Sequence, residues 1–298
     1  MNRLTVLCFV GTYVLALLSE LVRLRGRAQT WWHHLPGLLI AIGWLVQAAY
    51  LANLAILRRS LPLTSVFESL LLLGWVLAAI ALLLEVRGGT NRPTAAGPVV
   101  LCLALLVLTV AGILVPRGIS PTNNPSELAT WGMIHGMFQT LGAVGTSLAF
   151  AFGLMYLLQA RRLKLKQRSR QVLPLPSLEQ SERWHRAAIV AAFPLLTAGL
   201  LSGMGLVVAV HQVGGSSFRW TDPKVLSTLA LWVASAALLV ARFLPAWQGR
   251  KVMILTVITF AMLAFTMVGV GLVLPTAHGG LASLPNSNSA AGTTGAAP

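Results

Sequence analysis

The sequence has few charged residues. Charged side chains make up 10% of the 298 residues and hydrophobic ones 56%, and the mean hydropathy is +0.77. A soluble domain of this size would need far more charge on its surface, so that class of protein is excluded. The composition predicts an all-α, polytopic membrane protein.

Cysteine is nearly absent as well. Cys8 and Cys102 lie in separate apolar runs, and the chain has no Cys-x-x-Cys motif. This arrangement argues against thiol redox chemistry and against a zinc site. We expect both side chains to be buried and to serve as small packing residues.

Acidic residues are missing from the middle of the apolar runs. Glu20, Glu68 and Glu85 lie near the ends of runs, and the chain shows no internal repeat. Proton-coupled transporters place ionisable side chains inside the membrane and are often built from repeats. A small-molecule permease is therefore disfavoured, although the number of spans would suit one.

Windowed hydrophobicity predicts a bundle of about eight transmembrane helices. The spans cover residues 4–22, 36–57, 64–86, 98–115, 129–159, 187–210, 224–243 and 251–274. Of the 22 Lys and Arg residues, sixteen fall on one side and six on the other. The positive-inside rule then places both termini outside, in a multi-pass protein of the inner (plasma) membrane. Because the basic residues cluster at span ends, the net charge reflects this orientation, and no nucleic-acid partner is expected.

The chain divides into three predicted parts. Residues 1–61 form two membrane helices, retained rather than cleaved as a signal peptide because the run has no small-residue cleavage site. Residues 62–279 form a transmembrane core, and the Gly-, Ala- and Ser-rich residues 280–298 form a disordered external tail. The basic loop 161–186 inside the core is a solvated stop-transfer loop or a binding site for anionic lipid or a cytoplasmic partner.

A histidine in the fifth span is the first candidate for chemistry. His135 lies one to two turns from the uncharged end of this span, so we expect it near the outer leaflet. At about 100° per residue, one helix face carries Trp131, His135, Gln139, Gly142 and Thr146, with Gly132 and Gly136 at its edge. The small residues would admit either a flat ring or a closely packed helix.

The predicted topology places His211 and His278 on the same side as His135. Neutral imidazole is a common ligand of haem iron, so two of these side chains could hold a haem at the outer leaflet. Hydrogen-bonded packing is the alternative for each of them. In the external loop, Trp220 could cover the porphyrin, and Arg219 or Lys224 could pair with its propionates. Equally, Asp222 before Pro223 is typical of a helix start, and Trp220 suits the interfacial aromatic belt.

Two further clusters have structural explanations. Ser65 and Glu68 have the spacing of a capping box at the start of the third span. The run Trp31-Trp32-His33-His34 is typical of an interfacial anchor, and a cytoplasmic point of haem uptake is the alternative.

These motifs, taken in order, resemble the cytochrome c assembly proteins of the CcsA and ResC type. The resemblance covers about Pro62 to Gly279. It rests on Pro62–Leu70 with Gly74-Trp75, Trp131–His135 with the basic loop after it, Asp222-Pro223-Lys224, Leu231-Trp232 and Trp247–Arg250. The stretch Leu173–Glu179, continued by Leu195–Gly199, is similar to the HemX-like and YpjD-like branch.

The resemblance implies a protein that carries b-type haem transiently to the outer face for attachment to apocytochrome c. His135 and His278 would be the axial ligands. The wider cofactor site would contain Trp131, His211, Arg219, Trp220, Asp222 and Lys224. Full-length members have further histidines where this chain has Ser60 and Val240, so an inner haem site is not expected.

The implied role is that of a haem carrier or chaperone rather than an enzyme. Its partners would be apocytochrome c and a second membrane assembly protein that keeps the apocytochrome reduced. The alternative is a HemX-type regulator of tetrapyrrole synthesis, which would act through the basic loop 161–186 without a haem site.

Overall fold

The computed structural model is a helical bundle, without a strand in the part of the chain that it describes. It describes residues 3–24, 34–58, 63, 65–88, 95–114, 126–165, 174–212, 221–244, 247 and 249–270. The helices are α1 (Arg3–Leu24), α2 (Leu35–Arg58), α3 (Val66–Gly88), α4 (Ala96–Leu114), α5 (Ser126–Lys164), α6 (Leu178–Gln212), α7 (Pro223–Phe243) and α8 (Arg250–Ala264), which continues into a π-helical segment, Phe265–Gly269.

Long apolar runs become helices here because a helix satisfies its backbone hydrogen bonds internally, which a lipid environment requires. Within the described residues, α2 to α8 are each long and apolar enough to cross a membrane, α8 together with its π-helical segment. The remaining helix, α1, has 22 residues. The predicted bundle of about eight helices is therefore confirmed, and the chain is a multi-pass membrane protein.

Short polar side chains begin three of the helices. Ser65 Oγ accepts a hydrogen bond from the Glu68 amide at 3.2 Å, and Ser177 Oγ accepts one from the Gln180 amide at 3.2 Å. Asp222 Oδ1 accepts the Lys224 amide at 2.8 Å, and Pro223 occupies the first turn of α7. The predicted capping roles of Ser65 and Asp222 are present.

Ion pairs between helix ends give the relative directions of the helices: α1 and α3 run in the same direction, and α6 and α7 run in opposite directions. Arg23 at the end of α1 forms an ion pair with Glu85 at the end of α3. Arg242 at the end of α7 binds Glu182 at the start of α6, with 2.8 Å between Nη2 and Oε1. We call this the basic end of the bundle. The positive-inside rule predicts that the basic end faces the cytoplasm, so we call the opposite end the outer end.

The two ends of the predicted loop 161–186 are helical, which corrects the boundaries drawn from hydrophobicity. Helix α5 continues to Lys164 and α6 begins at Leu178. Hydropathy detects only the part of a helix that lies in the bilayer, whereas Arg and Lys are good helix formers once the helix has left it. The acidic patch of this segment forms ion pairs: Glu179 binds Arg183 at 3.1 Å, and Glu182 binds Arg242.

Helix α5 is the centre of the packing. It contacts α3, α4, α6 and α8, and its contact with α6 is the most extensive in the bundle. The N-terminal helices pack on α3 through a stack of Trp44 on Trp75, with ring centroids 5.0 Å apart. Gln47 reinforces this packing, because it accepts a hydrogen bond from Tyr13 at 2.8 Å and donates one to the Leu71 carbonyl at 3.0 Å.

Candidate functional site

The candidate site lies on the closely packed pair α5 and α6. A Cβ placed on Gly145 of α5 would lie 2.8 Å from Ala192 Cβ, and one on Gly142 would lie 2.6 Å from Leu196 Cδ2. A Cβ placed on Gly199 of α6 would lie 3.0 Å from the side chain of Gln139 on α5. Glycine at these positions lets the two backbones approach closely. Side chains of α5 near the outer end therefore lie directly on the backbone of α6.

His135 is held by this contact. Its Nδ1 lies 2.8 Å from the carbonyl oxygen of Gly199, and the side chain is half-buried. A carbonyl oxygen can only accept a hydrogen bond, so Nδ1 carries the proton and donates it. In the neutral ring the lone pair is then on Nε2. Histidines that bind metals commonly have this arrangement, with the second ring nitrogen donating to a carbonyl.

The lack of a side chain at Gly203 leaves room for the His135 ring. A Cβ at Gly203 would lie 3.0 Å from both Cε1 and Nδ1 of His135. The imidazole thus occupies the space that a larger residue at position 203 would fill. One turn earlier on α5, Trp131 lies over Gly205 in the same manner and remains 40% exposed.

The helix face predicted from the sequence runs along this contact. Trp131, His135, Gln139 and Gly142 all lie against α6, and Thr146 is buried. The two glycines at the edge of the face behave differently from each other. Gly136 lies against the Leu63 carbonyl, 3.0 Å from where its Cβ would be, whereas a Cβ at Gly132 would meet nothing within 4 Å.

The described residues include three further predicted site residues, His211, Asp222 and Lys224. His211 is exposed on α6, about 12 Å along the axis from Gly203 and about 80° around it by helical geometry. Asp222 is buried and caps α7, and Lys224 is half-buried in the first turn of that helix. His278, Arg219 and Trp220 lie outside the described residues, so their roles remain predictions.

Other positions singled out in the sequence can be placed in part. Trp31, Trp32, His33 and Ser60 lie outside the described residues. His34 is exposed just before α2 at the basic end, and Val240 is 58% exposed on α7.

Sequence reasoning missed a buried histidine at the other end of α6. His185 is fully buried, and its Nε2 lies 2.7 Å from Thr256 Oγ1 of α8. The Thr256 hydroxyl donates its own proton to the Val252 carbonyl at 2.9 Å, so His185 must donate through Nε2. His185 thus has the opposite tautomer to His135, and it serves to join α6 to α8. The glycines of α6 were also missed, although Gly199 and Gly203 have the G-x-x-x-G spacing that marks close helix contacts.

The described residues contain no group of three or more His, Cys, Asp or Glu side chains that could hold a metal ion. Haem differs from a bare ion, because its porphyrin holds the iron and the protein adds only axial ligands. A small crevice lies between α5, α6, α7 and α8, lined by Thr146, Ile189, Ser235 and Thr259 among others, and it has room for about one water molecule. A porphyrin is far larger, so this crevice does not provide an inner porphyrin site.

Comparison with known proteins gives a consistent family. Residues 63–278 match the model of the family described as cytochrome C assembly protein. Similar curated proteins are named cytochrome c biogenesis protein CcsA. The one from Synechococcus elongatus is 28% identical over 276 residues, covering 78% of this chain and 83% of the relative. The one from Thermosynechococcus vestitus is 28% identical over 250 residues, covering 71% and 76%.

A third CcsA protein, from Trieres chinensis, is 27% identical over 240 residues and covers 70% of this chain and 74% of its own. No solved structure matches the chain. The matches support the CcsA resemblance, and the finer assignment to the HemX-like and YpjD-like branch stays a prediction.

Proposed function

Because this chain belongs to the cytochrome c assembly protein family, we propose that it binds haem at the outer end of its bundle and delivers it for cytochrome c maturation. Haem is cargo in this proposal, and the protein acts as a carrier rather than an enzyme. The observation that carries it is the hydrogen bond from His135 Nδ1 to the Gly199 carbonyl, 2.8 Å long.

This hydrogen bond suits His135 to bind iron. It selects the tautomer whose Nε2 has the lone pair, and it raises the basicity of that nitrogen. It also fixes the ring orientation before any ligand binds, together with the close contact to Gly203. His185 has the opposite tautomer and is fully buried, so it is not an equivalent candidate.

The remaining parts of the haem site follow from the family resemblance. His278 is the proposed second axial ligand, with His211 as the alternative on the same side of the membrane. Trp131 is partly exposed one turn from His135 and offers an aromatic surface to a porphyrin. Trp220 would cover the ring, and Arg219 or Lys224 would pair with the propionates.

Covalent attachment of the haem would require a partner. Cys8 on α1 and Cys102 on α4 are free and exposed, so the prediction that both are buried was wrong. The sequence has no paired-cysteine motif. The apocytochrome thiols would therefore be kept reduced by a second membrane assembly protein. We place the protein in the inner (plasma) membrane with the His135 end facing outward, where apocytochrome c would receive the haem.

The haem content of the detergent-purified protein tests this proposal. Protein from haem-replete cells should show the Soret band of low-spin, bis-histidine haem, and this low-spin band should be lost in His135→Ala and His278→Ala and partly restored by added imidazole. His34→Ala is the matched control: His34 is exposed at the opposite end of the bundle, so its loss should leave the position and shape of the Soret band unchanged. A colourless wild-type protein would contradict the carrier function. If deletion of residues 166–173 abolished cytochrome c maturation while the histidine variants were normal, a regulatory role would replace it.

A further inference from the structure

Two side chains donate hydrogen bonds to one backbone carbonyl at the candidate site, that of Gly199. We propose that Ser202 and Gly203 of α6 are positioning residues for His135: Gly203 admits the ring, and Ser202 tunes how strongly its Nε2 binds iron. The iron-binding half of this inference rests on the proposed function, whereas the tautomer of His135 can be measured without haem.

Three hydrogen-bond donors approach the Gly199 carbonyl oxygen. His135 Nδ1 lies 2.8 Å from its oxygen, and Ser202 Oγ donates to the same oxygen at 2.9 Å. The helical pattern of α6 also directs the Gly203 amide toward it. A carbonyl oxygen has two lone pairs, so these donors share its electron density. Ser202 is buried, so water does not compete with the Gly199 carbonyl for its hydroxyl.

Because Ser202 and His135 share the Gly199 oxygen, Ser202 affects the basicity of His135 Nε2. A hydrogen bond from Nδ1 raises the basicity of Nε2, and a more basic axial nitrogen favours ferric over ferrous iron. Because the Ser202 hydroxyl draws on the same oxygen, it weakens the His135 bond. Ser202→Ala should strengthen that bond and make the midpoint potential of bound haem more negative.

Gly203 acts through its small size, because a larger residue there would contact the His135 ring. Alanine at position 203 would put its Cβ 3.0 Å from His135 Nδ1 and Cε1, so the ring would have to move by a few tenths of an ångström. This movement would misalign Nδ1 with the Gly199 carbonyl and remove the preference for the Nδ1-protonated tautomer. Gly132→Ala is the matched control: Gly132 lies on the same helix as His135, and its Cβ would meet no atom within 4 Å.

The first experiment uses the haem-free protein with ¹⁵N-labelled histidine, observed by solid-state NMR in lipid. The His135 signals are assigned by their loss in His135→Gln. Wild type, Ser202→Ala and Gly132→Ala should show a protonated Nδ1 and an unprotonated Nε2, and Gly203→Ala should show a mixture of tautomers. An Nε2-protonated His135 in the wild type, or a Gly203→Ala spectrum identical to the wild type, would overturn the inference.

The second experiment is a redox titration of the haem-loaded protein. Ser202→Ala should shift the midpoint potential to a more negative value, and Ser202→Thr should restore it, because threonine can make the same hydroxyl bond within a helix. Equal potentials in wild type and Ser202→Ala would refute the tuning role. A wild-type protein that takes up no haem would instead refute the proposed function, while the NMR experiment would still decide the role of Gly203.

Discussion

Replacing Gly145 by alanine should separate α5 from α6. The new Cβ would lie 2.8 Å from Ala192 Cβ, 3.0 Å from Ala192 Cα and 3.2 Å from its amide nitrogen. Carbon atoms normally pack at about 3.5–4.0 Å, so the helices would have to move apart locally by roughly 1 Å. The obstacle is backbone and a methyl group, neither of which can rotate away.

The net effect can be estimated from two opposing terms. Overpacking of this kind costs about 2–3 kcal/mol. Alanine regains about 1 kcal/mol of helix propensity over glycine. We therefore expect Gly145→Ala to lower the free energy of unfolding by roughly 1–2 kcal/mol.

Gly132→Ala is the control, because its Cβ would enter open space on the same helix. Gly132→Ala should gain helix propensity without the overpacking cost. The free energies of unfolding of the two variants should therefore differ by about 2–3 kcal/mol. Unfolding by sodium dodecyl sulfate in mixed micelles, followed by circular dichroism, measures this difference. If the two variants were equally stable, the close approach of α5 and α6 at Gly145 would be refuted.

Three further substitutions can be compared in the same assay, two at buried polar contacts and one at an exposed ion pair. Arg23→Met should cost about 3–5 kcal/mol, because it leaves the buried Glu20 and the largely buried Glu85 carboxylates without their guanidinium. Arg183→Met, which breaks a pair whose side chains are 76% and 84% exposed, should cost at most about 1 kcal/mol; equal losses would contradict this account. Gln47→Leu should cost about 1–2 kcal/mol by removing the bridge from Tyr13 to the Leu71 carbonyl, and an unchanged unfolding curve would contradict the bridge.

The sequence was most informative where composition alone decides the structure. A span such as α4 contains no charged residue, so a helix was the only conformation that satisfies its backbone in lipid. Ser65, Asp222 and Pro223 predicted helix starts because their capping chemistry is local. The extension of α6 back to Leu178 was missed because hydropathy does not register the part of a helix that leaves the bilayer.

Contacts between distant segments were harder to anticipate. The face of α5 containing His135 was evident from helical periodicity, but nothing local identified Gly199, 64 residues later, as the acceptor for its Nδ1. The buried ion pair of Arg23 with Glu85 was also missed, since pairing depends on which helix ends meet in the fold. His185 gave no signal because one polar residue near a span end has many unremarkable explanations.

The most direct test of the central claim is the electron paramagnetic resonance spectrum of the ferric, haem-loaded protein. If His135 is an axial ligand, wild type and His34→Ala should show a low-spin signal. His135→Ala should show high-spin iron that returns to low spin when imidazole is added. A low-spin signal that is unchanged in His135→Ala would contradict the assignment of His135 as a haem ligand.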